Sequence, residues 1–376
     1  GVEVSGSDAK DSRRLQALLP LGADAYVGHD AGRMMRDGAP DLVVASTAIP
    51  DTNPELARAA ELGIPRQSRA TALAALMDGY TGVSVAGTHG KTTTTSMVTV
   101  VLQHAGRNPS FVIGSEMNES GSNAHHGTGE LFVVEADESD GTFLVLPTTA
   151  AIVTNVEPDH LNYWSDYQGI EDAFTDFVVG TSQHDGVAVV CGDDPGAAVV
   201  AQRARARGAR VVTYGTEPGS DVRVRLLPVT GASAHFALDT PSGTVGPIAL
   251  RVPGRHNALN CAAAMMMAKS LGVDPVRSAE AISDFGGVER RFEESGSVNG
   301  ALLIDDYAHL PAEIAAVIDA ARSHPARTGK VVAVFQPNRY HRVAQMAGDY
   351  AGCFAAADQV FITDIYASGT LPIEGV

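Results

Sequence analysis

The chain has 376 residues, of which 44% are hydrophobic and 19% charged, and its formal net charge is −17. These values are typical of a globular protein with two or three domains, and the excess of acids disfavours general binding to nucleic acid or to an anionic membrane. No run approaches the roughly 18 apolar residues that a spanning helix needs, and the first residues do not read as a signal peptide, so we expect a cytoplasmic protein without membrane insertion. Three widely separated cysteines lack metal-ligand spacing and are expected to be buried thiols: Cys191, Cys261 and Cys353.

The first 80 residues alternate short apolar runs with amphipathic segments. Strands are predicted at residues 2–5 and 41–45, and helices at 13–19, 54–62 and 70–77. This βαβ order favours a parallel, Rossmann-like sheet. Polar residues directly after the strands lie where such sheets bind ligands, namely Ser7, Asp8, Ser46 and Thr47.

A glycine-rich loop follows the next predicted strand, at residues 83–86, and precedes a predicted helix at residues 94–102. Its sequence is Gly87-Thr88-His89-Gly90-Lys91-Thr92-Thr93. Glycines let backbone N–H groups turn toward phosphate oxygens, and the helix N-terminus adds positive partial charge. Lys91 can reach the outer phosphates and the Thr92 hydroxyl can hold Mg²⁺. The loop therefore predicts a nucleoside-triphosphate site.

Further strands are predicted at residues 131–134, 150–153, 187–190 and 210–212, and the segment 220–252 is predicted to add antiparallel strands. An Ala/Arg-rich run at residues 201–210 is interpreted as a solvated helix. A third unit begins near residue 287, with strands at 301–304, 331–335 and 359–363. We therefore predict an α/β protein with domains at residues 1–80, 81–286 and 287–376.

Polar segments follow two of these strands. Glu135 opens an acidic segment, residues 135–140, that could bind Mg²⁺ directly or through water, or could be an acidic loop without a ligand. His160 follows the next strand and should lie at the same sheet edge, where it could share a second Mg²⁺ with Glu135 or simply be a polar surface residue.

Asn257 and Asn260 share one helix face and could pair with an adenine edge, and helix capping by Asn257 is compatible with that role.

These motifs, in this order, resemble the Mur ligase family of peptidoglycan synthesis over the whole chain. The acidic segment and the Phe-Gln-Pro sequence at residues 335–337 resemble the branch that adds alanine. The matching segments are residues 4–8, 46–50, 53–56, 87–93, 135–140, 154–160, 253–260, 290–292, 305–309, 335–342 and 364–366.

The resemblance implies a three-domain Mur ligase architecture: a Rossmann-like UDP-sugar domain, a central P-loop ATPase domain and a Rossmann-like C-terminal domain. The chain does not begin with Met, opens inside a predicted strand and stops just after another, so we expect a fragment cut at both ends. The resemblance implies that the missing N-terminus carries a first strand and a glycine-rich loop for the UDP diphosphate.

The implied reaction is ATP-dependent joining of L-alanine to UDP-N-acetylmuramate through an acyl phosphate, with two Mg²⁺ ions. Thr92 should hold the first Mg²⁺, and Glu135 and His160 the second. His89 should contact the bound substrate, while Lys91 neutralises the phosphates. Other residues carried over are, for ATP, Asn257, Asn260, Arg291, Asp306 and His309; for the alanine carboxylate, Arg339 and Arg342; and for the UDP pocket, Ser7, Asp8, Ser46 and Thr47.

Several relatives in this family use a carbamylated lysine in the central domain, but no lysine lies between Lys91 and Lys269 here, which fits the alanine-adding branch. Three positions depart from the family pattern: Leu310 and Asn338 stand where histidines are usual, and Asn162 where an acid is usual. Two other interpretations stay open: a recycling ligase that attaches a tripeptide to the same UDP-sugar, and a non-catalytic paralogue that binds nucleotide or UDP-sugar.

Overall fold

The computed structural model describes residues 2–46, 49–114, 117, 122–228, 233–367 and 371–376. Thr47, one of the expected sugar-site residues, lies outside these ranges. The chain divides into two compact units, Gly1–Asp78 and Gly79–Val376. Within the described residues, no helix has both the length and the apolar character needed to cross a membrane.

The first unit alternates strands and helices, as the apolar pattern predicts. β1 pairs in parallel with β2, and β3 in parallel with β4. Strand β1 begins at Ser5, not at residue 2, so Ser7 and Asp8 lie within the end of the strand and not after it. The elements are β1 (Ser5–Asp8), α1 (Arg13–Leu18), β2 (Asp24–Val27), α2 (Ala31–Met34), β3 (Val43–Ala45), α3 (Pro54–Glu61), β4 (Arg66–Ser68) and α4 (Arg69–Leu76).

The second unit is built on a ten-stranded sheet with the order β14-β13-β12-β11-β10-β9-β5-β8-β6-β7. Its elements are β5 (Thr81–Ala86), α5 (Lys91–His104), β6 (Ser110–Val112), β7 (Ala124–His125), β8 (Leu131–Glu135), β9 (Ala150–Val153), α6 (Leu161–Trp164), α7 (Tyr167–Gly180), β10 (Val187–Cys191), α8 (Pro195–Ala206), β11 (Val211–Gly215), β12 (Val222–Leu226), β13 (Ala234–Thr240), β14 (Gly243–Leu250), α9 (Arg255–Ser270) and α10 (Pro275–Ser283). The predicted antiparallel strands in the segment 220–252 are confirmed as β12, β13 and β14.

Strand β5 lies between β8 and β9 and runs parallel to both. Its residues after Thr81 are buried, as expected for a strand covered on both faces. Helices α5 and α9 pack against each other, and α9 also packs against β10. Two buried hydroxyls in α5 are satisfied locally: Ser96 and Thr99 each donate to the carbonyl oxygen four residues earlier, at 2.9 and 2.8 Å. This packing fixes the start of α5 at the carboxyl edge of the sheet.

The remaining elements carry the C-terminal part of the chain. They are β15 (Glu293–Val298), β16 (Ala301–Asp305), α11 (Pro311–Arg322), β17 (Val332–Phe335), α12 (Tyr340–Cys353) and β18 (Gln359–Ile362). β15 and β16 form an antiparallel pair, and β17 and β18 a parallel pair. Ile314 and Ile318 of α11 pack with Phe335 and Cys353 in a small apolar cluster.

Helix α8 corrects the interpretation of the Ala/Arg-rich run as a solvated helix. The helix ends at Ala206, and one side of it is buried at Val200, Ala201 and Ala204. The arginines flank this buried side, and Arg203 pairs with Glu171 at 3.1 Å. Alanine and arginine are both good helix formers, so composition alone did not show that one face packs on the sheet.

Candidate active site

Three loops meet at the carboxyl edge of the sheet because β8, β5 and β9 are adjacent and parallel. The P-loop, residues 87–93, follows β5, the acidic segment follows β8, and residues 154–160 follow β9. Hydrogen bonds join the first and third of these loops. The His89 N–H donates to Asn155 Oδ1 at 2.7 Å, and the Glu157 N–H donates to Thr88 Oγ1 at 2.9 Å.

Two glycines give the P-loop its shape. Gly87 has φ +139° and Gly90 has φ +78°, both in the region that side chains disfavour. A Cβ added at Gly87 would lie 2.0 Å from Thr154 Oγ1. A Cβ at Gly90 would lie 2.8 Å from Asn260 Oδ1. The loop therefore needs glycine at both positions, for conformation and for space.

Lys91 is the first residue of α5, and its ammonium is folded back over the P-loop. Its Nζ donates to the Gly87 carbonyl at 2.6 Å, and the Thr88 carbonyl lies at 3.4 Å. The Glu138 carboxylate receives the ammonium with both oxygens, at 3.0 and 2.9 Å. Burial alone lowers the pKa of Lys91, but the negative charges of Glu138 and Asp137 more than offset this, so its pKa is raised and the ammonium stays charged.

The structure brings Thr92 and Glu135 together, as the sequence predicts. Thr92 Oγ1 donates to Glu135 Oε1 at 3.2 Å, and Glu135 Oε2 accepts from the Gly114 N–H at 2.7 Å. A hydroxyl and a carboxylate oxygen are the hard donors that Mg²⁺ prefers, so these two residues fit one such ion. In the described part of the chain, no group of three His, Cys, Asp or Glu side chains is arranged to hold a metal by itself.

His160 lies on the neighbouring loop and faces acids other than Glu135. Its Nε2 is 3.3 Å from Asp159 Oδ2. Burial lowers the pKa of His160 even though Asp159 and Asp137 oppose that shift, and a neutral imidazole is the form that binds metals. A metal ion shared by Glu135 and His160 stays a prediction.

Asn257 and Asn260 are buried on α9 beside the P-loop. Asn257 Nδ2 donates to the Pro253 carbonyl at 2.7 Å, and Asn260 Nδ2 approaches Asn257 Oδ1 at 3.5 Å. The amides therefore share one face, as the spacing predicts, and Asn260 lies against Gly90. Contact with adenine stays a prediction.

Glu313, near the start of α11, links the C-terminal part of the chain to the P-loop. Its Oε1 lies 3.3 Å from His89 Nδ1 and 3.8 Å from Arg291 Nη1. Its Oε2 accepts from the backbone N–H groups of His309 and Leu310 at 2.9 and 3.2 Å. On its other side, His89 Nε2 lies 3.1 Å from Glu157 Oε2. The expected substrate contact His89 is thus enclosed by two carboxylates.

These contacts shift the pKa values of both His89 and Glu313. Burial alone lowers the pKa of His89, but Glu157 and Glu313 outweigh it and raise the pKa to about 9. Burial alone raises the pKa of Glu313, but the ion pair with His89 and the nearby charges of His309 and Arg291 hold it well below its usual range. Both groups are therefore charged in this contact over most of the pH range.

Glu313→Gln is expected to destabilise the protein more at pH 6 than at pH 9. The raised pKa of His89 contributes stability that is complete below about 6.5 and is lost as pH rises through about 9. The lowered pKa of Glu313 contributes stability that is complete above 4.5, the ordinary pKa of a glutamate, and is lost only as pH falls below that value. We expect a loss on the order of 3 kcal/mol at pH 6, measured by thermal unfolding at both pH values.

Glu294→Gln is the matched control, because Glu294 also pairs with a histidine, His324, at 3.1 Å, but lies on β15 with more than half its side chain exposed. Its substitution should cost little at either pH. Equal losses at pH 6 and pH 9 for Glu313→Gln would contradict the assignment of the His89 pKa to this contact.

The other predicted nucleotide residues of the C-terminal part lie close to Glu313. Asp306 accepts from the backbone N–H groups of Phe292 and Ala308, each at 2.7 Å, and burial raises its pKa. His309 Nδ1 lies 3.0 Å from the Tyr307 carbonyl oxygen and 3.6 Å from Glu313 Oε2. Burial lowers the pKa of His309. Arg291, Asp306 and His309 therefore converge on the helix start that also contacts the P-loop.

Arg339 and Arg342 stand at the start of α12. Arg342 is buried, and its Nη2 lies 3.5 Å from Asp159 Oδ2 on the loop after β9. Arg339 precedes the helix with φ +66°, and its N–H donates to the Tyr366 carbonyl at 2.9 Å. Arg342 therefore faces the loop that carries His160, while the side-chain role of Arg339 stays a prediction.

Within the first unit, Glu55 of α3 organises the predicted sugar-site residue Ser7. Ser7 Oγ donates to Glu55 Oε2 at 2.6 Å and lies 2.8 Å from His29 Nδ1. Tyr26 donates its hydroxyl to Glu55 Oε1 at 2.8 Å. Asp8 accepts from the Lys10 N–H at 3.0 Å, and the Ser46 carbonyl accepts from the Ile49 N–H at 3.1 Å.

Four acids that organise these contacts were not among the predicted site residues. They are Glu55, Glu138, Asp159 and Glu313. Glu55, Glu138 and Asp159 lie inside motifs that the sequence singles out. Glu313 lies outside them, two residues after Pro311, at the third position of a helix, where an acid can cap the N-terminus. That capping signal was present in the sequence, but it does not indicate contact with another domain.

Comparison with known proteins bears on the whole chain. The family descriptions that match are "Mur ligase family, catalytic domain" over residues 1–81, "Mur ligase middle domain" over residues 85–268 and "Mur ligase, glutamate ligase domain" over residues 290–372. A UDP-N-acetylmuramate–L-alanine ligase of Acidothermus cellulolyticus is 50% identical over 375 residues, which cover 100% of this chain and 78% of the relative.

Comparison with solved structures supports the same family. A UDP-N-acetylmuramate–alanine ligase from Thermotoga maritima has a TM-score of 0.82 at 30% identity and covers 97% of this chain and 80% of its own. A UDP-N-acetylmuramate:L-alanyl-γ-D-glutamyl-meso-diaminopimelate ligase from Neisseria meningitides has a TM-score of 0.67 at 28% identity, covering 77% of this chain and 92% of its own. The predicted three-part architecture is confirmed, and the chain belongs to the Mur ligase family.

Proposed function

We propose that this chain joins L-alanine to UDP-N-acetylmuramate at the expense of ATP, in the synthesis of peptidoglycan precursors. The observation that carries the proposal is the meeting of three loops at one sheet edge, which puts the buried Lys91 ammonium beside the Thr92–Glu135 pair. Its similarity to ligases of that printed name over the full chain supports the choice of substrates. Because the reaction consumes ATP, we place it in the cytoplasm.

The chemistry requires two anions to approach each other. The lactyl carboxylate attacks the γ-phosphorus of ATP, ADP leaves, and an acyl phosphate forms; the alanine amine then attacks its carbonyl carbon and phosphate leaves. Lys91 would offset the negative charge that gathers during the first step. Mg²⁺ would supply further charge neutralisation, with Thr92 proposed to hold the first ion and Glu135 and His160 the second.

The remaining assignments follow from position. Asn257 and Asn260, with Arg291, Asp306 and His309, are proposed to bind the nucleotide, because they border the P-loop or the helix start that contacts it. Arg342, with Arg339, is proposed to bind the alanine carboxylate, since guanidinium groups match that fork. His89 is proposed to contact substrate. Ser7, Asp8, Ser46 and Thr47 are proposed for the UDP pocket.

One experiment separates this function from its competitors. Phosphate release is measured on the full-length protein with ATP, Mg²⁺ and UDP-N-acetylmuramate, and with L-alanine, other single amino acids or L-alanyl-γ-D-glutamyl-meso-diaminopimelate as acceptor. We expect release that depends on L-alanine. Release that depends on the tripeptide alone would assign the recycling activity, which a neighbouring structure's name makes the main competitor. Absence of release with every acceptor would favour a binding protein.

A further inference from the structure

Glu138 is the one residue of the acidic segment whose carboxylate, by the contacts that the structure describes, meets the P-loop lysine. Its side chain is 5% exposed, and that of Lys91 is 15% exposed. The position of Glu138 is fixed by its backbone, because its carbonyl oxygen accepts from Trp164 Nε1 at 2.9 Å. The carboxylate is therefore held against the P-loop, where it is almost fully buried.

The contacts of Lys91 occupy all the hydrogen-bond donors of its ammonium group, which number three. Two are directed to the Glu138 oxygens, at 3.0 and 2.9 Å, and the third to the Gly87 carbonyl at 2.6 Å, with the Thr88 carbonyl at 3.4 Å. No donor is then left for a phosphate oxygen. A P-loop lysine can reach the outer phosphates only if at least one of these bonds is given up.

Glu138 is the partner that a phosphate would replace. A phosphate oxygen and a carboxylate oxygen compete for the same ammonium, and two anions on one cation repel each other in a buried site. Asp137 and Glu135 already add negative charge around Lys91. The backbone carbonyl of Gly87 is neutral and can keep its bond while a phosphate arrives, whereas the Glu138 charge cannot stay without cost.

We propose that Glu138 is a positioning residue that competes with the triphosphate for Lys91, holding the lysine in the P-loop until nucleotide replaces the carboxylate. This rests on the proposed ATP site and adds to it a competitor built into the protein. Removing the Glu138 charge while keeping its shape should therefore tighten nucleotide binding. A merely structural carboxylate would produce the opposite, because its loss would loosen the P-loop.

The first test is isothermal titration of wild type and Glu138→Gln with a non-hydrolysable ATP analogue and Mg²⁺. We expect roughly a tenfold lower Kd for the variant, with the Kd for UDP-N-acetylmuramate unchanged. Glu171→Gln is the matched control, since Glu171 is also buried and paired with an arginine, 3.1 Å away, but lies on α7. An unchanged or higher nucleotide Kd in Glu138→Gln would overturn the proposal.

A second measurement uses the wild type alone and covers the case in which the variant fails to fold. The chain has four lysines, so a ¹⁵N-lysine ammonium spectrum is simple, and the Lys91 signal is identified by its loss in Lys91→Arg. We expect that signal to move when the analogue binds, and an unmoved signal would overturn the proposal. Wild type that binds no nucleotide would refute the ATP site itself, whereas normal binding with no effect at Glu138 refutes only the competitor.

Discussion

Lys91→Ala is expected to lower UDP-N-acetylmuramate-dependent phosphate release by on the order of 10³-fold, while binding of UDP-N-acetylmuramate survives. The Lys91 ammonium lies over the P-loop, and the charge of His89 in the same loop is already paired with Glu157 and Glu313. Loss of Lys91 therefore leaves the carboxylate to approach the triphosphate against uncompensated negative charge. Steady-state turnover measures the first effect, and titration with the UDP-sugar measures the second. Normal turnover in this variant would contradict the assignment of the site.

Two controls separate chemistry from folding. Lys91→Ala leaves the Glu138 carboxylate buried without its ammonium, which costs stability on the order of 3 kcal/mol. The double variant Lys91→Ala/Glu138→Gln removes that buried charge, so its melting temperature should recover while its turnover does not. Lys269→Ala, at the far end of α9, where the ammonium contacts Ser242 Oγ at 2.8 Å, should leave turnover close to that of wild type.

Gly87→Ala is expected to abolish nucleotide binding and to lower stability by roughly 3 kcal/mol. A methyl group there would lie 2.0 Å from Thr154 Oγ1 and 3.1 Å from the backbone N and O of Asn155, and φ is +139°. Relief requires the P-loop and the loop after β9 to move apart, and this breaks the bonds that hold both at the sheet edge. Thermal unfolding and titration with the ATP analogue measure the two effects.

Gly106→Ala isolates the contribution of backbone strain. Gly106 has φ +75°, stands just beyond the C-terminus of α5, and has nothing within 4 Å of an added Cβ. It should lose about 1 kcal/mol and keep its nucleotide affinity. Adding Thr154→Ala to Gly87→Ala should recover only part of the loss, because the Asn155 backbone remains. Wild-type nucleotide affinity in Gly87→Ala would show that the P-loop tolerates a side chain.

The sheet edge was predictable because each of its parts leaves a local signal. β5, β8 and β9 are apolar runs that end in polar residues, and parallel strands place those ends side by side. The Thr92–Glu135 contact followed from this reasoning. Strand limits shifted by a few residues where neighbouring strands extend the pairing, as at β1, because hydrogen-bonding partners are not visible in a single strand's sequence.

The partners of Lys91 and His89 were not predictable in the same way. Four acids lie within residues 135–140, and their spacing does not say which one turns toward the lysine. The backbone turn after β8 directs Glu138 toward the lysine. A hydrogen bond that Trp164, 26 residues later, donates to the Glu138 carbonyl holds that turn in place. Glu313 reaches His89 across 224 positions of the chain, and that contact depends on how the C-terminal part packs, which no local pattern encodes.

The three departures from the family pattern have different outcomes. Leu310 is buried, and its backbone N–H donates to Glu313, so this position bonds without a polar side chain. The backbone of Asn338 pairs with that of Tyr366 in an isolated parallel β-bridge, and the Asn338 side-chain Oδ1 is buried without a hydrogen-bond partner. The side chain of Asn162 is outside the described part of the structure. Nothing in these contacts blocks the proposed chemistry.

The enclosure of Lys91 also determines how the folded protein responds to amine-reactive reagents. The other three lysines, Lys10, Lys269 and Lys330, are exposed or half-buried, whereas the Lys91 amine is surrounded by acceptors and its pKa is raised. A charged, hydrogen-bonded amine is a poor nucleophile. A dye or a solid support that couples to amines will therefore attach through the other lysines and spare the nucleotide site.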